Sequence, residues 1–145
     1  MFIKQISVFL ENAPGTLREL TQLLGGGGID LMALSIADTL NFGIVRLIVA
    51  DSQIDPALAL LRKEGFVCRV NNVICAVVED RPLGLHDLLE KIHEIGISVE
   101  YLYSFLRATG DRALIILRLS EQDESVKKLA ENGVSIFTQA EIDKL

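Results

Sequence analysis

The stretch 11-ENAPGTL-17 decides the fold of this chain, because a strand-like segment ends there and a helical pattern begins. The run before it, Ile3 to Leu10, is of strand type, and Ile6, Val8 and Leu10 alternate along one face. Leucines at helical spacing follow it. The sequence therefore predicts a strand that turns directly into a helix over Glu11 to Leu17.

Such a corner can hold a small carboxylate, because the first N–H groups of a helix lack intrahelical acceptors and lie at the positive end of the helix dipole. Pro14 fits the first helical position, and Gly15 lets a ligand approach the backbone. Asn12 adds an amide that both donates and accepts hydrogen bonds. The alternative is a helix cap without a ligand, since Thr16 and Glu19 have the spacing of a capping box.

The composition indicates a globular protein and argues against two classes of partner. Half of the 145 residues are hydrophobic, and the formal net charge is −6. Nucleic-acid binders need a basic face, so this charge argues against them. No run of basic residues marks a membrane surface, and no apolar run is long enough to span a bilayer.

The sequence also predicts a cytoplasmic location. Lys4 and Gln5 interrupt the first apolar stretch, which therefore does not resemble a signal peptide. Cys68 and Cys75 lie in strand-like runs without C-x-x-C spacing, and we expect buried free thiols.

The chain repeats itself with an offset of 68 residues and no gap, which predicts two domains, 1–70 and 71–145. Matches on turn and cap positions, as well as on apolar ones, are hard to obtain by chance. The matched pairs include Glu11 and Glu79, Pro14 and Pro82, Leu17 and Leu85, Gly28-Ile29 and Gly96-Ile97, Ile48 and Ile116, and Gly65 and Gly133.

Each copy has the pattern strand, helix, strand, strand, helix, strand. Two interlocked right-handed crossovers of this kind give an α+β fold, a four-stranded antiparallel sheet with both helices on one face. The predicted boundaries in the first copy are a helix to about Leu24, strands Ile29 to Ala37 and Gly43 to Ala50 around a hairpin at Asp38 to Phe42, a second helix opened by Asp55-Pro56 and ended by Gly65, and a last strand from Phe66 to Val70, with Asn71-Asn72 separating the copies.

The other face of the sheet is predicted to be apolar as well, because strand residues of both parities are apolar in Val73 to Val78 and in Leu114 to Leu117. A second copy of the same sheet is the simplest cover for such a face. The sequence therefore predicts a homodimer or larger oligomer.

The doubled pattern, the Asn-x-Pro-Gly-x-Leu turn at Asn12 to Leu17, and Gly28-Ile29-Asp30 after the first helix resemble the ACT domain, an amino-acid-sensing regulatory module. The resemblance covers essentially the whole chain. Asn41 to Arg46 and Val99 to Phe105 are similar to the small stand-alone proteins made of two tandem ACT domains. The resemblance implies two ferredoxin-like βαββαβ units.

The resemblance also implies that a free amino acid binds at a domain interface against the first strand–helix turn. We expect Asp30 to hold the α-ammonium group while the turn holds the carboxylate. The second copy departs from the pattern with Leu83 at the glycine position and Asp80 at the asparagine position, so we expect no equivalent second site. The implied ligand-binding residues are Asn12, Ala13, Pro14, Gly15, Thr16, Leu17 and Asp30.

Two other groups of residues are candidate sites. Tyr101 and Tyr103 share one strand face, where they line either the ligand pocket or a packed sheet edge. His86, Glu90, His93 and Glu94 share one helix face and could ligate zinc, but a solvated face is the simpler interpretation. We therefore predict no metal and no cofactor.

The sequence predicts a non-enzymatic regulatory protein that binds an amino acid, because no catalytic motif is found. One alternative is a ligand-free regulatory or structural subunit that partners a metabolic enzyme. Another is an enzyme built on the same fold, since fold does not dictate function.

Overall fold

The computed structural model describes residues 1–11, 13–38, 42–106 and 110–145. The chain divides into two compact units. The N-terminal unit is Lys4–Asn71, and the C-terminal unit is Asn72–Leu145 together with Met1–Ile3. The predicted domain bounds, 1–70 and 71–145, remain a prediction.

In the N-terminal unit the strands lie in the order β4-β1-β3-β2. Both β1 and β2 pair antiparallel with β3, with Val8 and Ile36 opposite Val45. The elements are β1 (Ile3–Glu11), α1 (Thr16–Gly26), β2 (Ala33–Asp38), β3 (Phe42–Ile48), α2 (Asp51–Lys63) and the first part of β4 (Val67–Glu79).

The C-terminal unit repeats this plan with the strand order β7-β4-β6-β5, and its neighbouring strands pair antiparallel. The predicted α+β fold of two βαββαβ units is confirmed. The elements are the second part of β4, α3 (Gly84–Glu94), β5 (Val99–Ser104), β6 (Arg112–Leu119), α4 (Gln122–Glu131), β7 (Ile136–Phe137) and α5 (Gln139–Ile142).

Each unit buries alternate strand residues against its two long helices. In the N-terminal unit Ile6 and Val8 of β1 pack in one cluster with Leu20 of α1 and Leu61 of α2. The equivalent cluster of the C-terminal unit contains Ile74, Leu88, Ile92, Leu117, Val126 and Leu129. Burial of a large aliphatic side chain contributes about 1.5–3 kcal/mol, so these clusters hold α1 to α4 on their sheets.

Three predicted boundaries are wrong. Helix α2 begins at Asp51, because the Gln53 N–H donates to the Ala50 carbonyl and starts the first turn there. Pro56 therefore lies inside the helix. Strand β2 begins at Ala33 rather than Ile29, and β4 runs without a break through Asn71 and Asn72.

The second face of the sheet also carries polar side chains in the N-terminal unit, and the predicted homodimer stays a prediction. In the N-terminal unit Gln5 and Ser7 alternate with core residues and are both buried. Gln5 Nε2 donates to Ser7 Oγ at 3.1 Å, and Ser7 Oγ donates to Asn71 Oδ1 at 2.8 Å. Apolar residues of that face, such as Ile48 and Ile116, are fully buried within a single chain.

Three further findings concern the chain as a whole. Within the described ranges, no helix is long and apolar enough to cross a membrane. Of the predicted hairpin at Asp38 to Phe42, residues 39–41 lie outside the described residues. The short helix α5, which the sequence analysis did not predict, begins at a capping box formed by Thr138 and Glu141.

Candidate functional site

The N-terminal turn, Glu11 to Leu17, ends in a helix whose cap residue is Gly15. Gly15 has a left-handed backbone, with φ of 85°, and no side chain caps the helix. The Thr16 N–H donates to the Ala13 carbonyl at 3.3 Å, and the Glu19 N–H donates to the Gly15 carbonyl at 2.9 Å. Pro14 therefore precedes the helix instead of opening it.

The predicted capping box at Thr16 and Glu19 is wrong, because Thr16 is already helical. Its hydroxyl donates to the Ala13 carbonyl at 3.0 Å instead of capping an N–H group. Within the part of the chain that the structure describes, the N–H groups of Leu17 and Arg18 have no acceptor. The space around the Gly15 Cα is open. The helix thus begins with two backbone donors that are available to a carboxylate.

The exposure of the turn is compatible with a ligand. Ala13, Pro14 and Gly15 are exposed, and Thr16 and Leu17 are half-buried. Asn12, the remaining predicted site residue of the turn, lies outside the described residues.

The C-terminal turn, Glu79 to Gly84, has the same backbone hydrogen bonds at the equivalent positions. The N–H groups of Arg81, Gly84 and Asp87 donate to the carbonyls of Glu79, Arg81 and Leu83 at 3.0, 3.0 and 2.9 Å. Leu83 takes the place of Gly15 and also has a left-handed backbone, with φ of 69°. The Leu83 side chain is 65% exposed, so it projects where a ligand would approach.

The guanidinium group of Arg81 lies in the C-terminal turn and pairs there with neighbouring carboxylates. This feature was not predicted from the sequence. Its guanidinium contacts the carboxylates of Glu79 and Asp87, with 2.6 Å between Nη2 and Asp87 Oδ2. Nη1 donates to the Pro82 carbonyl at 2.9 Å. The hydrogen bonds to Glu79 and then to Asp87 raise the pKa of Arg81. The counterpart of Arg81 in the N-terminal turn is Ala13, which cannot make these contacts.

Asp30 lies beyond the C-terminal end of α1, whereas the N-terminal turn lies at its beginning. The helix has 11 residues, so its ends are about 16 Å apart at a rise of about 1.5 Å per residue. Asp30 is fixed by its backbone, because its N–H donates to Gln53 Oε1 at 3.0 Å while Gln53 Nε2 donates to the Gly28 carbonyl at 2.9 Å. Within this unit a single small amino acid cannot contact both the turn and Asp30.

Tyr101 and Tyr103 lie on β5 of the C-terminal unit. They pair with Arg118 and Ile116 of β6 and share the face opposite the helices. Tyr103 is buried and Tyr101 is half-buried. Arg118 also lies 3.5 Å from Glu100. These contacts favour packing at the sheet edge and leave Tyr101 accessible.

Neither a metal site nor an activated thiol is found among the residues described. No group of three or more His, Cys, Asp or Glu side chains is arranged to hold a metal, and His86 lies 4.0 Å from Glu90. Cys68 and Cys75 are both free. Burial, with a smaller contribution from Glu141, raises the pKa of the Cys75 thiol to about 12, so it is not a nucleophile at neutral pH.

The comparisons with known proteins agree with this geometry. The whole chain, residues 1–145, matches the family described as an ACT domain pair. No curated protein matches it. The crystal structure of protein BT0572 from Bacteroides thetaiotaomicron is 34% identical, with a TM-score of 0.87 over 100% of this chain and 98% of that one.

Two more distant structures share the fold. The regulatory subunit of aspartate kinase from Thermus thermophilus, in a ligand-free form, is 15% identical with a TM-score of 0.61, over 88% of this chain and 91% of that one. The corresponding subunit from Thermus flavus is 12% identical with a TM-score of 0.60, over 88% and 90% of the two chains.

Proposed function

Because the chain belongs to the ACT domain pair family, we propose that it is a cytoplasmic regulatory protein that binds a free amino acid and catalyses no reaction. One observation carries the proposal: α1 begins at a glycine cap without a capping side chain, and the N–H groups of Leu17 and Arg18 have no acceptor in the described part of the chain. The α-carboxylate of an amino acid supplies the missing acceptor.

The two turns differ in ways that favour the N-terminal one. The C-terminal turn shares its backbone hydrogen bonds, but the Leu83 side chain projects from the cap and Arg81 already holds two carboxylates there. The N-terminal turn has Gly15 and Ala13 at these positions. One ligand per chain is therefore expected.

Asp30 is proposed to hold the ligand's ammonium group from a second copy of the chain. Within one unit Asp30 is separated from the N-terminal turn by the length of α1, so a ligand held by both lies between two copies. The carboxylate then binds the turn and the ammonium binds Asp30, a division that suits a zwitterion. Ligand binding would favour the paired arrangement, which is how such a protein transmits a signal.

Thermal unfolding of the intact protein with each of the twenty amino acids tests the proposal. A ligand at about 100 times its Kd stabilises the folded state by about 2.7 kcal/mol, and Tm rises by several degrees. We expect one amino acid, or a few related ones, to raise Tm. If none does at millimolar concentration, the chain is the ligand-free subunit of the alternative hypothesis.

The role of Asp30 is tested with the best amino acid and its des-amino analogue. Loss of a charge-assisted hydrogen bond costs about 1.5–3 kcal/mol, so Asp30→Ala should weaken amino-acid binding by about ten- to a hundredfold and leave the analogue nearly unchanged. If the parent and Asp30→Ala prefer the amino acid by the same factor, Asp30 does not contact the ammonium group.

A further inference from the structure

A cleft of the N-terminal unit lies beside α1, where the chain leaves α2 and enters β4. Its volume is about 320 Å³. Gly65, with φ of 83°, ends α2, and the Phe66 N–H donates to the Leu61 carbonyl at 3.0 Å, which fixes the neighbouring side chains. The cleft is lined by Glu19, Gln22, Leu23, Glu64 and Phe66.

The floor of this cleft is apolar and its rim is acidic. Leu23 and Phe66 are half-buried and pack against the core of the unit, so the floor is held in place. Glu19 and Glu64 are exposed at the rim. Across the described ranges of the chain, neither carboxylate has an ion-pair partner.

The C-terminal unit has an equivalent cleft, of about 550 Å³, in which two cations, Arg81 and Lys91, lie among four carboxylates, those of Glu79, Asp87, Glu90 and Glu94. Lys91 takes the place of Leu23, and its Nζ reaches to 4.0 Å from the position of a Cβ atom at Gly133. Val134 takes the place of Phe66, and Asn132 that of Glu64. Arg81 lines this cleft as well. The C-terminal cleft therefore supplies its own cations, and the N-terminal cleft has none among its lining residues.

We propose that the N-terminal cleft binds an organic cation on an aliphatic stem, such as a diamine or the side chain of a basic amino acid. The carboxylates of Glu19 and Glu64 accept charge-assisted hydrogen bonds from an ammonium or guanidinium group. The Phe66 ring attracts the same charge, and Leu23 packs against the methylene stem. The site is separate from the N-terminal turn, which recognises a carboxylate, and it does not depend on amino-acid binding there.

Titration of the intact protein with 1,5-diaminopentane tests this site, because the diamine carries the cation and stem without a carboxylate. Amide chemical shifts locate the binding, and 1,5-pentanediol serves as the uncharged control. We expect the diamine to shift amides around Leu23 and Phe66 and the diol to leave them unchanged.

Two variants and one control use differences between the two units. Leu23→Lys copies Lys91 and places a like charge in the cleft, so it should weaken diamine binding by about fivefold or more. Glu64→Gln, at an exposed position, should weaken it about two- to fivefold. Lys91→Leu, the reverse change in the C-terminal unit, should leave the affinity of the N-terminal cleft unchanged.

The diamine affinities of the parent, Leu23→Lys and Lys91→Leu decide whether the N-terminal cleft is the binding site. Diamine binding that is lost in Leu23→Lys and kept in Lys91→Leu supports the site. The proposal is overturned if the diamine does not bind at millimolar concentration, if the diol binds equally well, or if Leu23→Lys keeps the parent affinity. The Tm of Leu23→Lys, compared with the parent, establishes that loss of binding is not loss of folding.

Discussion

Leu83 is an exposed leucine with a left-handed backbone, an arrangement that costs about 1–2 kcal/mol in a residue with a Cβ atom. Glycine relieves that strain but loses about 0.5–1 kcal/mol through its greater freedom in the unfolded chain. We therefore expect Leu83→Gly to raise the free energy of unfolding by up to about 1 kcal/mol in urea titrations. A variant less stable than the parent would show that Leu83 makes a stabilising contact in solution.

The next position, 84, requires a glycine because the turn leaves no room there for a Cβ atom. A Cβ atom there would lie 2.1 Å from the Glu79 carbonyl oxygen. Gly84→Ala should therefore lower the free energy of unfolding by more than about 2 kcal/mol, because the backbone of the turn must shift to make room for the Cβ atom. Gly25, inside α1, has open space around it, and Gly25→Ala should raise stability by about 0.5–1 kcal/mol. Equal effects of the two changes would contradict the turn geometry described here.

The sequence located both strand–helix turns but did not predict their conformation. The glycine at position 15 and the offset of 68 residues located both turns. The left-handed backbone of Leu83 could not be predicted, because leucine rarely adopts it. The contacts of Arg81 were missed because they depend on how the turn places Glu79 and Asp87 around one guanidinium.

The stability of helix α5 should depend on pH through the carboxyl group of Glu141. The Thr138 N–H donates to the Glu141 carboxylate at 2.7 Å, and this bond, with the Thr138 hydroxyl, lowers the pKa of Glu141. Because the folded pKa is lowered, the stabilisation is complete above the ordinary glutamate pKa of about 4.3 and is lost as the pH falls through the lowered value.

The matched variant is Glu141→Gln, which keeps the shape of the side chain and removes its charge. We expect Glu141→Gln to melt at a lower temperature than the parent at pH 7, and the difference to be smaller at pH 3, where more of the Glu141 carboxyl group is protonated. A difference of the same size at both pH values would mean that the charge of Glu141 does not contribute.

The element boundaries show which parts of the fold could be predicted from the sequence. Helix α1 and the strand-helix pattern followed from apolar periodicity, which burial in the core enforces. The start of α2 was misplaced because Asp55-Pro56 resembles a helix start, whereas Ala50 begins the helix without a side-chain cap. Helix α5 is too short for periodicity to reveal.

For the whole molecule, homodimer formation stays a proposal and now rests on the sheet edges. Ile36 of the edge strand β2 is 50% exposed and Leu102 of the edge strand β5 is 37% exposed. Unpaired strand edges with apolar side chains favour pairing with another chain. Light scattering at micromolar concentration should give the mass of a dimer or larger, and Ile36→Lys should lower that mass. A monomer at every concentration would contradict the proposal.

The doubled fold followed from the repeat, because each copy carries a complete set of strand, helix and turn signals. The candidate site could be predicted only in part. The resemblance to the ACT domain implied that Asp30 and the N-terminal turn hold one ligand, but α1 separates the two within the unit.

We propose that the open glycine cap at Gly15 holds an amino acid. The direct measurement is calorimetric titration of the best amino acid into the parent, Gly15→Leu and Leu83→Gly. Gly15→Leu copies the C-terminal turn, where leucine keeps the same backbone, so it should cost up to about 1 kcal/mol of stability without unfolding the chain. We expect Gly15→Leu to abolish binding and Leu83→Gly to bind like the parent. Unchanged affinity in a folded Gly15→Leu protein would contradict the claim.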